Sequence, residues 1–173
     1  MSISAEQMKV LTPFVSETVK NLETMADLPS TAGLGTEDEI ESFRFKGFAV
    51  AIETTGSIEG TILIHMYIET ALLVGNKVRE KMLGETEQAT EVTDNIVEAL
   101  EEWGNTVVGH ATAVLEAYNL GIKFKPPYFI HSTEKIGPIM EEVQEIISIP
   151  IRIDEDNRFY FNFLLNNKTG ADT

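Results

Sequence analysis

The longest regular pattern of hydrophobic positions lies in residues 91–121, where apolar side chains recur at steps of three and four. Such spacing is typical of an amphipathic helix with one buried face. The predicted helix begins after an N-cap at Thr90 or Thr93 and ends at Asn119 and Gly121. Its predicted buried face consists of Ile96, Leu100, Trp103, Val107, Ala111, Val114 and Tyr118.

Helical spacing also extends over residues 1–27, which we predict to form two pieces. The main helix is expected to begin at Thr12 and Pro13, because proline is favoured in the first turn of a helix and unfavourable in its interior. Ser4 and Gln7 have the spacing of a capping box, so a short extra turn is predicted before the main helix.

A third helix is predicted over residues 70–83, with Gly84 as its C-terminal stop. An acidic connection, residues 85–90, joins it to the long helix. Two successive helices on one side of a sheet imply an α+β fold, in which an antiparallel or mixed sheet carries the long helices on one face. The packed face of the third helix is expected to contain Ala71, Val74, Gly75, Val78 and Met82.

Alternation of apolar and polar residues with a period of two predicts the strands. Residues 43–52 alternate with a change of phase at Gly47, which indicates a bulge at that glycine. Residues 62–67 are apolar on both faces, so this strand is expected to be central in the sheet. Residues 147–153 and 159–165 are predicted to form the last hairpin.

The remaining segments have weaker patterns. Residues 28–39 contain a proline and two glycines and are predicted to be a loop. Residues 122–131 are predicted to be a strand in which Pro126 and Pro127 mark a sheet edge or the start of the strand, because proline cannot donate a ladder hydrogen bond. Residues 134–145 are compatible with a loop, a short helix or the start of a strand.

The chain of 173 residues is predicted to be one domain, residues 1–173, with an N-terminal extension at 1–12 and a loose tail at 166–173. It has 13 Lys and Arg against 28 Asp and Glu, a formal charge of −15, which makes nucleic acid and anionic lipid unfavourable partners. It contains no cysteine, no apolar run long enough to span a membrane and no signal peptide at its start. These features predict a cytoplasmic protein that does not insert into a membrane.

Three histidines are the candidate metal ligands in a chain without cysteine. His65 lies inside the predicted central strand and is expected to be a core or sheet-face residue. His110 and His131 could meet, since one is helical and the other is near the end of a strand, but the three are scattered and no metal site is predicted.

Opposite the buried face of the long helix lie Glu98, Glu102, Asn105 and Gly109, which we call the polar row. At about 100° per residue they fall within roughly 60° of one another. The simplest interpretation is a solvated helix face. However, Asn and Gly cost about 0.6 and 1 kcal/mol relative to Ala in a helix interior, which favours a role other than helix stability for Asn105, Gly109 and the neighbouring Gly104.

The spacing Glu102-Trp-Gly-Asn105-Thr-Val-Val-Gly109 resembles the E-x-x-N-x-x-x-G signature of the CheC/CheX/FliY phosphatases, which remove phosphate from the chemotaxis response regulator CheY. The order of predicted elements is similar to that family over most of the chain, including the strand EGTILIHMY and the helix ending KMLGE. Glu98 stands where the family usually has Asp or Ser. The chain has one copy of the signature and so resembles the single-motif CheX-like proteins.

The resemblance implies a CheC/CheX-like fold and a protein aspartyl-phosphate phosphatase that acts on a phosphorylated CheY-like response regulator. By the same resemblance, Asn105 is expected to orient the attacking water and Glu102 to pair with the lysine of the partner's active site. Glu98 and Gly109 are expected to contribute to partner binding. The family further implies no cofactor of its own, a Mg²⁺ ion supplied by the partner, and a homodimer formed through the sheet.

Two other classes of function are compatible with these residues. Glu102 and Asn105 could serve binding alone, in a non-catalytic adaptor that docks on a receiver domain, and Glu98 and Trp103 favour this alternative. The chain could also be a structural module whose sheet edge mediates dimerisation. Catalytic turnover distinguishes the enzyme from the adaptor.

Overall fold

The computed structural model describes residues 3–166, so the predicted loose tail lies outside the described residues apart from Asn166. Within this range the helices are α1 (Ala5–Ala26), α2 (Ile68–Leu83), α3 (Asp94–Tyr118) and α4 (Ile136–Met140). The strands of the same range are β1 (Thr31–Ala32), β2 (Thr36–Asp38), β3 (Phe48–Gly56), β4 (Gly60–Met66), β5 (Ile122–Phe124), β6 (Tyr128–Ile130), β7 (Glu145–Arg152) and β8 (Arg158–Leu165).

The strands form one antiparallel sheet with the order β1-β7-β8-β4-β3-β5. β2 also pairs with β7, and β6 also pairs with β3. The long helices α1, α2 and α3 contact one another and pack on one face of this sheet. The predicted α+β fold with long helices on one face is therefore confirmed. The predicted central strand is β4, in which every residue is buried.

The main core lies between the long helices and the sheet. Trp103 of α3 is fully buried, and its ring meets the ring of Phe159 edge to face with centroids 6.4 Å apart. α2 approaches α3 closely at Gly75, where an added Cβ would lie 2.8 Å from Cγ2 of Ile96. The predicted packed face of α2 is correct except at Met82, which is 54% exposed because it lies in the last turn of the helix.

The prediction that the first helix begins at Thr12 and Pro13 is wrong, because α1 continues through both residues. The Oγ of Ser4 accepts a hydrogen bond from the N–H of Gln7 at 3.1 Å, and Oε1 of Gln7 accepts from the N–H of Ser4 at 2.9 Å. This complete capping box starts the helix. Pro13 removes one backbone hydrogen bond from the interior. Its side chain is buried with the apolar face of α1, and that packing offsets the lost bond.

The predicted strand over residues 43–52 is also corrected. β3 begins at Phe48, and residues 43–46 cross to the opposite face of the sheet instead of continuing the strand. Gly47 marks the change of direction with a φ of 103°, and a Cβ at this position would collide with the backbone carbonyl of Met66. The alternation of Phe43 and Phe45 reflects packing beneath the sheet and not strand pairing.

The second face of the sheet carries a smaller core, built partly from α4 and from residues 40–46. His65 belongs to this face and is 4% exposed, so its predicted position in the core is confirmed. The N–H of Lys46 donates to Nε2 of His65 at 3.1 Å, and the ring stacks on Phe45 with centroids 4.9 Å apart. Burial lowers the pKa of His65 from its ordinary value.

Both edges of the sheet are built from two short strands. Residues 28–39, predicted as a loop, contain β1 and β2, which pair with different parts of β7. Residues 122–131, predicted as one strand, are divided into β5 and β6 around Pro126 and Pro127, and both pieces pair with β3. The segment that the sequence left open, residues 134–145, contains α4 and the start of β7.

Candidate functional site

Helix α3 presents the polar row, and capping residues define both of its ends. Thr93 is the N-cap, and its Oγ1 accepts a hydrogen bond from the N–H of Ile96 at 3.4 Å. Asn119 ends the helix in the left-handed region with a φ of 51°. The predicted helix is therefore present, with Thr93 and not Thr90 as its N-cap.

The buried stripe of α3 is narrower near the C-terminus than the sequence predicts. Val114 and Tyr118, which were expected in the core, are 39% and 52% exposed. The stripe at this end is centred on Ala111 and Leu115. Val114 and Tyr118 therefore lie beside the buried face of α3 and not within it.

All members of the polar row are exposed on α3. Within residues 3–166, the carboxylates of Glu98 and Glu102 and the amide of Asn105 form no side-chain hydrogen bond or ion pair. A Cβ added at Gly109 would meet no heavy atom within 4 Å. The structure thus places the four predicted site residues along one open helix face, with their polar groups available to a partner.

Gly104 sets the height of this helix face above the sheet. An added Cβ at Gly104 would lie 2.7 Å from Cγ2 of Val50 and 3.3 Å from Cε1 of Phe129. Both distances are too short for an ordinary contact, so a larger residue would push α3 away from β3 and β6. The sequence shows only a glycine beside a buried tryptophan, and the need for close approach at this position emerges from the packing.

A side-chain contact between α1 and α3 flanks the polar row and was not predicted. Nδ1 of His110 lies 3.2 Å from Oε2 of Glu17, two residues that are 93 positions apart in the chain. Nδ2 of Asn21 donates to the same carboxylate oxygen at 3.1 Å. These contacts connect the two helices at the surface. No spacing along the sequence indicates them.

The histidines do not assemble in one place. His110 lies against Glu17, and the ring of His131 lies 5.4 Å from the ring of Phe48. Among the described residues, no group of three or more His, Cys, Asp or Glu side chains could hold a metal ion. Among the described helices, none combines the length and the hydrophobicity needed to cross a bilayer.

The fold and the site together define a class of protein. It has an antiparallel sheet covered on one face by long helices, and the longest helix displays carboxylates, an amide and a glycine in an exposed row. The site contains neither a nucleophile paired with a base nor a metal cluster among the described residues.

The chain belongs to the chemotaxis phosphatase CheX family, whose sequence model matches residues 48–151, more than half of the chain. This match includes the whole polar row. It confirms the resemblance to the CheC/CheX/FliY proteins. No curated protein matches the chain by sequence.

Solved structures with the same fold come from several bacteria. Chemotaxis protein CheX from Vibrio vulnificus is 17% identical with a TM-score of 0.67, over 91% of this chain and 99% of that one. The CheX of the CheX-CheY-BeF3-Mg²⁺ complex from Borrelia burgdorferi is 24% identical with a TM-score of 0.64, over 91% and 98%. FliY from Thermotoga maritima is 15% identical with a TM-score of 0.65, over 95% and 92%. At these identities the similarity shows a common fold.

Proposed function

We propose that this protein is a phosphatase that hydrolyses the aspartyl phosphate of a phosphorylated CheY-like response regulator. Membership of the chemotaxis phosphatase family supports the proposal, as does the Borrelia burgdorferi complex, in which a protein of this fold is bound to CheY. The observation that carries it is the state of Asn105. Its amide is exposed on α3 and has no hydrogen-bond partner among residues 3–166.

Asn105 is the proposed catalytic residue because a side-chain amide suits the positioning of water. Its oxygen accepts a hydrogen bond from the attacking water, while its NH₂ group still donates to the partner. The water oxygen bonds to phosphorus, the bond between phosphorus and the aspartyl oxygen breaks, and the products are phosphate and a free carboxylate. Phosphoryl transfer needs positioning more than covalent assistance, so no general base is assigned to this chain. The Mg²⁺ ion is the partner's, and we propose no cofactor for this protein.

The carboxylates of the polar row are proposed to orient the docked partner. Glu102 lies about one turn before Asn105 and pairs with the lysine of the receiver's active site. Glu98, one further turn away, extends the negative charge toward other basic groups of the partner. Gly109 leaves space for the partner's surface to approach α3, since nothing in the described chain lies within 4 Å of its missing side chain.

The test of the proposed function is the decay of a phosphorylated, Mg²⁺-bound CheY-like regulator in the presence of substoichiometric protein. A phosphatase removes many equivalents of phosphate per molecule of protein, and the decay rate rises in proportion to its concentration. Decay at the spontaneous rate, despite a complex detected by titration, would exclude catalysis on that regulator.

A receiver-binding adaptor is the second candidate function. Glu98 favours it, because a longer carboxylate occupies the place where the family usually has Asp or Ser, and this carboxylate is exposed at the docking face. An adaptor would bind the regulator through the same Glu102 and Asn105 without accelerating dephosphorylation. The substoichiometric assay therefore separates the two functions.

Substitution of Gly109 by alanine is expected to raise the stability of the protein and to lower its affinity for the regulator. The added methyl group meets no described atom, and Ala is favoured over Gly in a helix interior by about 1 kcal/mol, so the free energy of unfolding should rise by about that amount. The same methyl group should weaken the complex with the regulator if the partner packs against this position. Urea denaturation measures the first effect and titration with the regulator measures the second.

The control for this substitution is Gly137→Ala, because Gly137 lies in α4 and also has open space around its Cα. This variant should bind the regulator as the wild type does. Equal affinity for wild type and Gly109→Ala would remove Gly109 from the proposed docking face.

We also propose that the protein forms a homodimer through its sheet. β5 and β6 pair with β3 on one side only, so their other sides are edges to which a strand of a second copy could be added. A particle of about twice the 19.2 kDa chain mass in light scattering is the expected result. A concentration-independent monomer would contradict this proposal and leave the phosphatase proposal unaffected.

A further inference from the structure

A cavity of about 440 Å³ lies on the face of the sheet opposite α3, and the proposed phosphatase reaction does not use it. Its walls come from residues 34–44, from Tyr67 before α2, and from β7 and β8. The volume is in the range of sites that hold small molecules. The chemistry of its lining, rather than its size, indicates what it binds.

The floor of the cavity is polar and buried. Ser148 of β7 and Asn162 of β8 are 3% and 4% exposed, and they lie opposite each other in the sheet. Nδ2 of Asn162 donates to Oγ of Ser148 at 2.8 Å, and that hydroxyl donates to the carboxylate of Asp38. Oγ1 of Thr36 donates to the same carboxylate at 3.2 Å. Asp38 is thus a fixed negative charge on the cavity wall.

Two arginines line the same cavity. Nη1 of Arg44 donates to the backbone oxygens of Glu41 and Phe43 at 2.7 and 2.8 Å, which fixes the guanidinium and leaves its other N–H groups without a described partner. The guanidinium of Arg158 has no hydrogen bond or ion pair within residues 3–166.

Some cations of the described chain pair with carboxylates, and others, including these two arginines, do not. The carboxylate-paired cations include Lys77, Arg79, Lys81 and Lys125. Arg44 and Arg158 have no carboxylate partner in the described chain, a state that they share with exposed lysines such as Lys20, but these two cations line the cavity. The cavity therefore offers free guanidinium groups for an anion from outside.

We propose that this cavity binds a small carboxylate that also carries an ammonium or hydroxyl group. Arg158 and Arg44 hold the carboxylate, because a guanidinium fork matches its two oxygens. Asp38 accepts a hydrogen bond from the ammonium or hydroxyl group. The rings of Tyr67 and Tyr160 line the cavity and provide apolar contact for the carbon chain. A dicarboxylate without a donor would leave Asp38 facing a second negative charge and should bind poorly.

The experiment is calorimetric titration of the full chain with L-glutamate, L-malate and succinate. Glutamate represents the amino acids and malate the hydroxy acids, while succinate has the carboxylates without the donor. Glutamate or malate is expected to bind with a Kd of about 1 mM or lower, and succinate at least about tenfold more weakly. Asp38→Asn should weaken glutamate binding more than malate binding, because the ammonium group loses a charged partner.

The variant that tests the arginine is Arg158→Gln, and Lys123→Gln is its control. Both remove one positive charge from an exposed side chain, but Lys123 lies on β5, at the other edge of the sheet. Arg158→Gln should weaken binding at least about tenfold, and Lys123→Gln should leave it unchanged.

Three results would overturn the proposal: no saturable binding of glutamate or malate at about 10 mM, equal binding of succinate, or equal effects of the two variants. The titration needs no response regulator. Its failure and the failure of the proposed phosphatase function are therefore independent results.

Discussion

Asn105→Ala is expected to reduce the catalysed dephosphorylation of a CheY-like regulator by about 100-fold, because a water that is no longer held in line reacts far more slowly. The substitution should not destabilise the helix. Asn105 is exposed, its side chain forms no hydrogen bond within the described chain, and Ala is a better helix former by about 0.6 kcal/mol. The variant should therefore be slightly more stable than the wild type while losing activity. Phosphate release measures the activity, and urea denaturation measures the stability.

Asn95→Ala is the matched control for this substitution. Asn95 is also an exposed asparagine of α3, but it lies in the first turn of the helix, about 15 Å along the helix axis before Asn105. This variant should retain full activity. Equal rates of dephosphorylation with Asn105→Ala and Asn95→Ala would show that the amide of Asn105 has no catalytic role. Glu102 would then be the next candidate for the catalytic residue.

Trp103→Ala is expected to lower the free energy of unfolding by about 3 to 5 kcal/mol, the usual cost of removing a large buried aromatic side chain. Trp103 is fully buried between α3 and the sheet and packs edge to face on Phe159. Its loss leaves a cavity beneath the residues that display Glu102 and Asn105. Urea denaturation measures the effect, which is a large fraction of the total stability of a typical domain.

Trp103→Phe tests how much of the stability at this position comes from the packing of an aromatic ring. The indole N–H is buried without a described hydrogen-bond partner, so phenylalanine keeps an aromatic ring and removes an unsatisfied donor. This variant should be considerably more stable than Trp103→Ala. Equal destabilisation by the two substitutions would show that a phenyl ring does not restore the packing that the larger indole provides.

The elements with strong internal periodicity could be predicted from the sequence, because the burial of one face requires a repeating pattern. The long helix, the central strand and the last hairpin are of this kind. The errors fall where contacts distant in sequence decide the structure. Pro13 remains inside α1 because its side chain is buried there, and β1 and β2 are strands because β7 provides their partners.

The candidate site also has features that the sequence predicts and features that depend on contacts distant in sequence. The positions of Glu98, Glu102, Asn105 and Gly109 on one face follow from the geometry of a helix, and their exposure follows from the buried stripe opposite them. Whether these side chains form hydrogen bonds within the chain depends on where the other elements of the fold lie. The same is true of the contact between the side chains of His110 and Glu17, which exists because α1 packs beside α3.

The divided edges of the sheet limit how copies of this chain can stack. An added strand meets at most three consecutive residues of β1, β2, β5 or β6 before the ladder is interrupted, at Gly33 to Gly35 on one side and at Pro126 and Pro127 on the other. A long, flat edge would invite endless cross-β growth, whereas short pieces end it early. Short edges of this kind are compatible with the proposed dimer through the sheet and oppose continued growth into a fibril.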